Sequence, residues 1–409
     1  MSDYGSGAFT TGPYGGRKQY FSKSGIAVLI EHYDNGLGFK GLFQTGVGDF
    51  LGCNFTIDES GPRDFILFFS AAVNIEKKDI IKIKIFNSLD YFFTGVIRET
   101  PIDGSTKQEY NYTGFGLTDY FVRTNAEVRN YSSKTLYYIV DDILDNVLLP
   151  KAPAIIRNDS KIILPDITIT SLITNYSQVT EVLRTLKKIA ASDGNNYVIG
   201  VDASGEFFFK PRSQETIVSL VVGKRGNYGI DNYEPIDEIE QRTKYFVLDK
   251  DGNYVTTISS TEDNDIYEDK LTAPDLDNAS IILWAQGILT ESEIISRSAT
   301  INWKIEPWDP ILLVGDGNIR IMSSIPAETT EMPEENPYGS GVYGSGLYGG
   351  GQFTGIDIID ILRCVEVQYS LTAAQGIRII QLGSLPIRLE DRIEDVRKEL
   401  VDLTVSLGV

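Results

Sequence analysis

Short apolar runs separated by turn residues dominate the chain from Ile26 onward. They read Ile26-Ala27-Val28-Leu29-Ile30, Cys53-Asn54-Phe55-Thr56-Ile57 and Phe65-Ile66-Leu67-Phe68-Phe69. Ile81-Lys82-Ile83-Lys84-Ile85 alternates strictly, which predicts a strand with isoleucines on one face and lysines on the other. Tyr91 to Ile97 and Tyr110 to Phe121 continue the series. Several short strands with Gly, Asn and Asp between them predict a sandwich or barrel over residues 25–131.

The period then changes. Leu136, Ile139, Val140, Ile143, Leu144, Val147 and Leu148 form one helical stripe, with Ser133 as candidate cap and Pro150 as stop. A second helix is expected from Gln178 to Ser192, capped by Ser177, striped by Val182, Leu183, Leu186, Ile189 and Ala190, and stopped by Gly194. Tyr197 to Val201 and Phe207 to Lys210, joined by Asp202-Ala203-Ser204-Gly205, predict a hairpin beside it. Residues 132–213 therefore read as a small α+β domain.

Strand patterns return at Ile217. Thr243 to Leu248 and Tyr254 to Ser259 flank the turn Asp249-Lys250-Asp251-Gly252-Asn253. Leu276 to Leu289 reads as a helix with Asp275 or Asp277 near its start, and Ala299 to Ile305 and Ile311 to Val314 as strands. This gives a second β-barrel domain over 214–325, completed by Cys364 to Tyr369 and Gly376 to Leu382 within 356–387. Over 388–409, Leu389, Ile393, Val396, Leu400 and Leu403 alternate spacings of four and three, the seam of a helix. An amphipathic helix within the chain and a short oligomeric coiled coil fit this seam equally. The expected fold class is mainly β with an α+β insert: two β-barrel-like domains, a helix-plus-hairpin domain and a C-terminal helix.

Two segments stand outside these patterns. The arm 1–24 is Gly-rich and carries Tyr4, Phe9 and Tyr14 at five-residue spacing; the insertion 326–355 carries Tyr338, Tyr343, Tyr348 and Phe353 at the same spacing. Glycine keeps such a segment extended and adaptable, and tyrosine supplies contact area with few rotors to freeze. A low-complexity linker, a sugar-binding loop and a contact between subunits all fit; the repetition in two segments favours the subunit contact. Neither has the strand-to-helix context of a phosphate loop.

Composition narrows the chemistry. Of 409 residues one is histidine, His32, which leaves no set of histidines for a triad or a zinc site and reads best as a strand residue. Cys53 and Cys364 read as buried thiols rather than a disulfide. Asp249 to Asn253 resembles the start of a calcium loop, but Tyr254 and Ser260 stand where that loop needs Gly and Glu, so a hairpin turn is expected. Glu262-Asp263-Asn264-Asp265 reads as a solvated acidic loop. No pair of carboxylates is singled out for glycoside cleavage. No catalytic residue, metal or cofactor is expected. The net charge of −20 argues against stable nucleic-acid binding and suits a surface that lets DNA pass. No apolar run is long enough for a membrane anchor, and the N-terminus lacks a secretory signal pattern.

The order of these elements resembles the baseplate hub, or tail-tip, proteins of phages, the tail-associated and late-control type. Three stretches carry the likeness: Phe93 to Ile97 followed by Tyr112 to Leu117; Ser133 to Leu149 with Tyr176 to Lys210; and Ile236 to Asp316, with Glu240 to Lys244 and Pro310 to Asp316 at its ends. The tyrosine-glycine insertion departs from the family pattern. The resemblance implies a structural homotrimer that joins a hexameric tail tube to a threefold tip and lines the DNA channel. It also implies partners among tube, distal tail and tip or fibre proteins, a place in the virion tail after synthesis in the host cytoplasm, and a separate protein for any piercing tip or hydrolase. Another tail component, such as a distal tail or adsorption protein, and a carbohydrate-active enzyme are the competing readings.

Overall fold

The computed structural model describes residues 27–85, 90–101, 110–213, 216–222, 236–237, 244–259, 268–292, 297–305, 318–326, 353–372 and 376–382. The first unit contains β1 (Val28–Tyr33), β2 (Phe39–Gln44), β3 (Phe50–Asp58), β4 (Gly61–Phe69), β5 (Ile80–Ile85), β6 (Phe93–Glu99) and β7 (Tyr110–Gly116). Then come α1 (Asp119–Arg123), β8 (Arg129–Thr135), α2 (Leu136–Ile143), β9 (Thr168–Thr174), α3 (Val179–Ala190), β10 (Tyr197–Val201) and β11 (Phe207–Pro211). The remainder comprises β12 (Thr216–Val222), β13 (Ile236–Asp237), β14 (Lys244–Leu248), β15 (Tyr254–Ser259), β16 (Glu268–Thr272) and α4 (Asn278–Ser292). It ends with β17 (Arg297–Ile305), β18 (Asn318–Pro326), β19 (Phe353–Thr372) and β20 (Gly376–Leu382).

The mainly-β class is as the pattern dictates, but the barrels are not. Among the described residues one open sheet runs β2-β1-β5-β6-β7-β4-β3-β19-β20-β17-β13, with β18 and then β12 branching from β19. The early and late strands merge because β3 and β19 present matching apolar faces. Their register sets Phe55 opposite Tyr369, Ile57 opposite Val367 and Cys53 opposite Leu371, and the Phe55 and Tyr369 rings stack with centroids 4.8 Å apart. A single core follows, including Val28, Phe65, Ile81, Ile83 and Phe93 from early strands and Ile301, Val367 and Ile380 from late ones.

The alternation in β5 places Ile81, Ile83 and Ile85 in that core while Lys82 and Lys84 stay half-buried on the other face. Ile80 turns the other way, into a second core built on the helices. All seven stripe residues from Leu136 to Leu148 are buried there. The helix begins later than its predicted cap. Thr135 accepts the Tyr138 N–H, whereas Ser133 lies in β8 with φ of 51°. After Ile143 the helix widens to a π turn, with Leu149 N–H donating to Leu144 O. In α3 Ser177 is likewise not the cap; its carbonyl accepts Ala126 N–H, and Thr124 O takes Val179 N–H. Gly194 ends the segment at φ 88°, as expected.

Tyr110 to Phe121 does not remain a strand. It stops at Gly116, and α1 follows, its Asp119 carboxylate taking Arg98 at 2.7 Å and Arg123 at 2.5 Å. Asp277 caps α4 by accepting Ala279 N–H. α4 and the β14-β15-β16 sheet, which the sequence pattern groups with the second β-domain, pack into the helical core through Tyr245, Val247, Ile281, Trp284 and Ala285. The expected strand Ile311 to Val314 lies outside the described residues.

Candidate functional site

The aromatic contacts proposed from sequence lie outside the described residues: Tyr4, Phe9, Tyr14, Tyr338, Tyr343 and Tyr348. So do Leu389, Ile393, Val396, Leu400 and Leu403, and the acidic loop Glu262 to Asp265. Phe353 is placed as the first residue of β19, opposite Pro326 of β18, and its side chain is outside the described set. The ends of the tyrosine-glycine insertion are thus brought side by side.

His32 sits in β1 and is buried, with Nε2 2.6 Å from Asp79 Oδ2. Burial alone would raise the Asp79 pKa, but the Glu76 N–H, His32 and Lys40 at 3.0 Å hold it below the ordinary carboxylate value. The group ties β1 and β2 to the turn before β5. With His32 and Asp79 both almost sealed from solvent, it has no face to offer a substrate.

On the opposite face of β1, Glu31 accepts from Tyr33 Oη at 2.6 Å, Tyr91 Oη at 2.8 Å and Lys84 Nζ at 3.1 Å. Lys82 and Lys84 lie over the Tyr91 ring at 4.9 and 4.3 Å. Both tyrosine hydroxyls are pushed up, first by burial and then by the Glu31 carboxylate. They are donors held in place, unsuited to act as bases.

A further cluster of charge lies where the β3–β4 turn meets β11 and β19. Glu59 in that turn takes a two-pronged contact from Arg363 of β19. The Nε of Arg212, just past β11, stands 3.7 Å from the same carboxylate. Burial pushes the Arg212 pKa down to about 10. One turn residue later in space, Arg63 of β4 reaches Glu366 of β19 at 3.0 Å, and Gln368 holds the other Glu366 oxygen at 2.7 Å. Asp58 beside them has its pKa raised by burial, against the opposing hydrogen bonds from Ser60. Arg378 of β20 is fully buried opposite Tyr369.

None of Glu59, Arg212, Arg363 or Glu366 is signalled locally, since the pairs are separated by up to 304 positions. The turn Asp249 to Asn253 is a hairpin turn as expected: Asp249 Oδ1 accepts the N–H groups of Asp251 and Asn253 at 2.9 and 2.7 Å. Cys53 and Cys364 are free, buried thiols. Among the described residues no three His, Cys, Asp or Glu side chains converge as metal ligands, and no helix is long and apolar enough to cross a membrane.

No family model matches the chain, and no curated protein matches it. Solved structures do. A tail protein from Neisseria meningitidis is similar over 88% of this chain and 97% of its own, with TM-score 0.57 and 11% identity. A prophage MuSo2 tail protein from Shewanella oneidensis covers 87% of this chain and 98% of its own, with TM-score 0.56 and 12% identity. Prophage tail protein gp18 from Listeria monocytogenes covers 91% and 99%, with TM-score 0.51 and 11% identity. The chain has the fold of these tail proteins.

Proposed function

We propose that this chain is a structural component of a bacteriophage tail, working at the baseplate or tail tip rather than as an enzyme. The observation that carries the reading is the near end-to-end fold match to two tail proteins, one of them from a prophage, 97% and 98% of whose chains are covered.

Within that role we read the chain as a hub. Three copies form a ring in which the first β-unit, 25–131, and the second, 214–325 with 356–387, alternate around the axis. Six similar positions then face a hexameric tail tube and three face the tip. Tube, distal tail and tip or fibre proteins are the partners. Part of the net charge of −20 lines the lumen and keeps DNA from sticking as it passes, since like charge forms no phosphate contacts.

Native mass measurement of the purified chain, with antibody labelling of intact particles, tests both levels. A trimer that labels one end of the tail is the expected result. Label on the capsid, or an active monomer that cleaves polysaccharide, would overturn the tail reading. Label at the tail end with a different copy number would overturn only the hub.

A further inference from the structure

β2 is the end strand of the open sheet. Among the described residues it pairs with β1 along one side, and on the other it has only a bridge from Gln44 to Val47 at its last residue. Half the N–H and C=O groups of such a strand point away from its neighbour. The strand is nonetheless held in place. Asp34 in the preceding turn accepts the Gly36 and Gly38 N–H groups, each at 2.8 Å. Phe43 stacks on His32 and meets Phe69 edge-on at 5.1 Å.

An edge of this kind templates a further strand unless proline, charge or a covering element guards it. The sequence of β2, Phe39-Lys-Gly-Leu-Phe-Gln44, has no proline, and its one charge, Lys40, is tied to Asp79 at 3.0 Å. Its outer face is apolar. Phe39 and Leu42 stand opposite Tyr33 and Glu31 of β1 and are 62% and 41% exposed. The Phe39 ring meets Tyr33 edge-on, with centroids 5.6 Å apart.

The arm 1–24 has the length and the chemistry to cover this edge on another copy. Within it Phe9-Thr10-Thr11 is a strand-forming run set between Gly7-Ala8 and Gly12-Pro13. Thr11 lies 17 positions before Val28, where β1 starts. An extended chain of that length spans about 55 Å, whereas the slot beside β2 of the same copy is only about 10 Å from β1, two strand spacings away. The arm also carries Arg17, Lys18 and Lys23 against Asp3, a positive surplus in a chain of net charge −20, so a second copy attracts it.

We propose that the free edge of β2 takes the N-terminal arm of a second copy as an added strand, with Phe9 covering Phe39 and Leu42. The inference rests on the reading that copies of this chain associate. Main-chain hydrogen bonds supply affinity and the phenylalanine supplies apolar contact. In a ring each copy gives one arm and receives one, a head-to-tail contact that closes on itself.

Two variants test it, measured by native mass alone and mixed. One lacks residues 1–24; the other carries Phe39→Lys with Leu42→Lys, which charges the edge while touching only exposed side chains. Each should keep the melting temperature of the full chain yet stay monomeric. Mixed in equal amounts they should form a one-to-one heterodimer, because the first still offers an edge and the second still offers an arm. Should the double substitution unfold the protein, Leu42→Lys alone takes its place. An arm-less chain that assembles like the full chain overturns the strand exchange and leaves the hub standing. A mixture that stays monomeric also overturns it, as when each arm serves its own copy. A full-length chain that is itself monomeric removes both the ring and the exchange.

Discussion

Arg63 Nη1 donates to Glu366 Oε2 at 3.0 Å across 303 positions of sequence, joining a strand of the first unit to the last long strand of the chain. Glu366 is 1% exposed and accepts from Arg63 and from Gln368, at 3.0 and 2.7 Å. Removing Arg63 takes a hydrogen-bonding cation from a buried carboxylate. Arg63→Ala should therefore cost about 3 kcal/mol, and Glu366→Ala less, since Arg63 is partly exposed and lies 3.6 Å from Asp64. The double variant Arg63→Met with Glu366→Met should recover part of that loss, because the buried carboxylate is removed together with its cation. A denaturant double-mutant cycle measures the coupling; strict additivity would show that the pair does not act as one.

That contact also marks the limit of what the sequence conveys. The stripe from Leu136 to Leu148 was legible because helix neighbours lie three and four residues apart, so burial prints itself locally. Ile81 to Ile85 was legible for the same reason at period two. β8, Arg129–Thr135, and β16, Glu268–Thr272, carry little apolar alternation and exist because β9 and β14 supply their hydrogen bonds. β20 inverts the expectation, since Arg378 faces the core while Ile377 is exposed; its register is set by pairing with Tyr369 on β19. The merging of two expected barrels into one open sheet depends on β3 meeting β19, which no local pattern encodes. The same holds for Glu59, Arg212 and Arg363.

The start of α2 separates two candidate caps. Thr135 accepts Tyr138 N–H at 3.3 Å, while Ser133 holds φ of 51° inside β8. Thr135→Ala should destabilise by about 1 kcal/mol through the lost cap. Ser133→Gly should be neutral or stabilising by up to about 1 kcal/mol, because glycine adopts a left-handed backbone without strain. Equilibrium unfolding of the two variants reads both signs. If Ser133→Gly proves the more damaging, the assignment of the cap to Thr135 is wrong.

Gly287 lies in the middle of α4, where a Cβ would run into the carbonyl oxygen of Lys188 at the end of α3. Two opposed effects bear on Gly287→Ala. Alanine gains about 1 kcal/mol in helix propensity, but a clash with backbone in a packed core typically costs about 1–3 kcal/mol. The neighbour here is backbone, so the clash should win and the protein should lose stability. An isolated peptide of residues 276–292 should respond in the opposite direction, becoming more helical by circular dichroism. Stabilisation of both would mean that α3 and α4 do not approach so closely.

Glu31 gives the acid dependence a named source. Burial raises its pKa, but hydrogen bonds from Tyr33, Tyr91 and Lys84 outweigh that and leave it below the ordinary glutamate value. A carboxyl lowered in the folded state binds fewer protons there than in the unfolded chain. Its stabilisation is complete above the ordinary carboxylate range and disappears as pH falls through the folded value. Melting temperature should therefore fall on acidification below about pH 5. Glu31→Gln should be less stable near neutrality by about 1–2 kcal/mol, consistent with weakened charge-assisted hydrogen bonds, and should show a shallower acid limb. An acid limb identical to wild type would place the dependence elsewhere, on Asp79, Asp142 or Glu206, whose carboxyls are also held low.

The tyrosine-glycine insertion can be removed without breaking the sheet, because Pro326 at the end of β18 stands opposite Phe353 at the start of β19. A short turn can join strands whose ends already pair, and shortening a long connection lowers its closure entropy. Replacing residues 329–350 by a tight Asn-Gly turn should leave the melting temperature unchanged or slightly higher. Under the subunit-contact reading the shortened chain should fail to associate, remaining monomeric by light scattering where the full chain forms its ring. Tyr338→Ser, Tyr343→Ser and Tyr348→Ser combined should reproduce that failure with the loop length kept, since the aromatic rings and not the tether supply the contact area. Normal assembly accompanied by lost attachment to host cells would instead assign the loop to adsorption, and normal behaviour in both assays would reduce it to a linker.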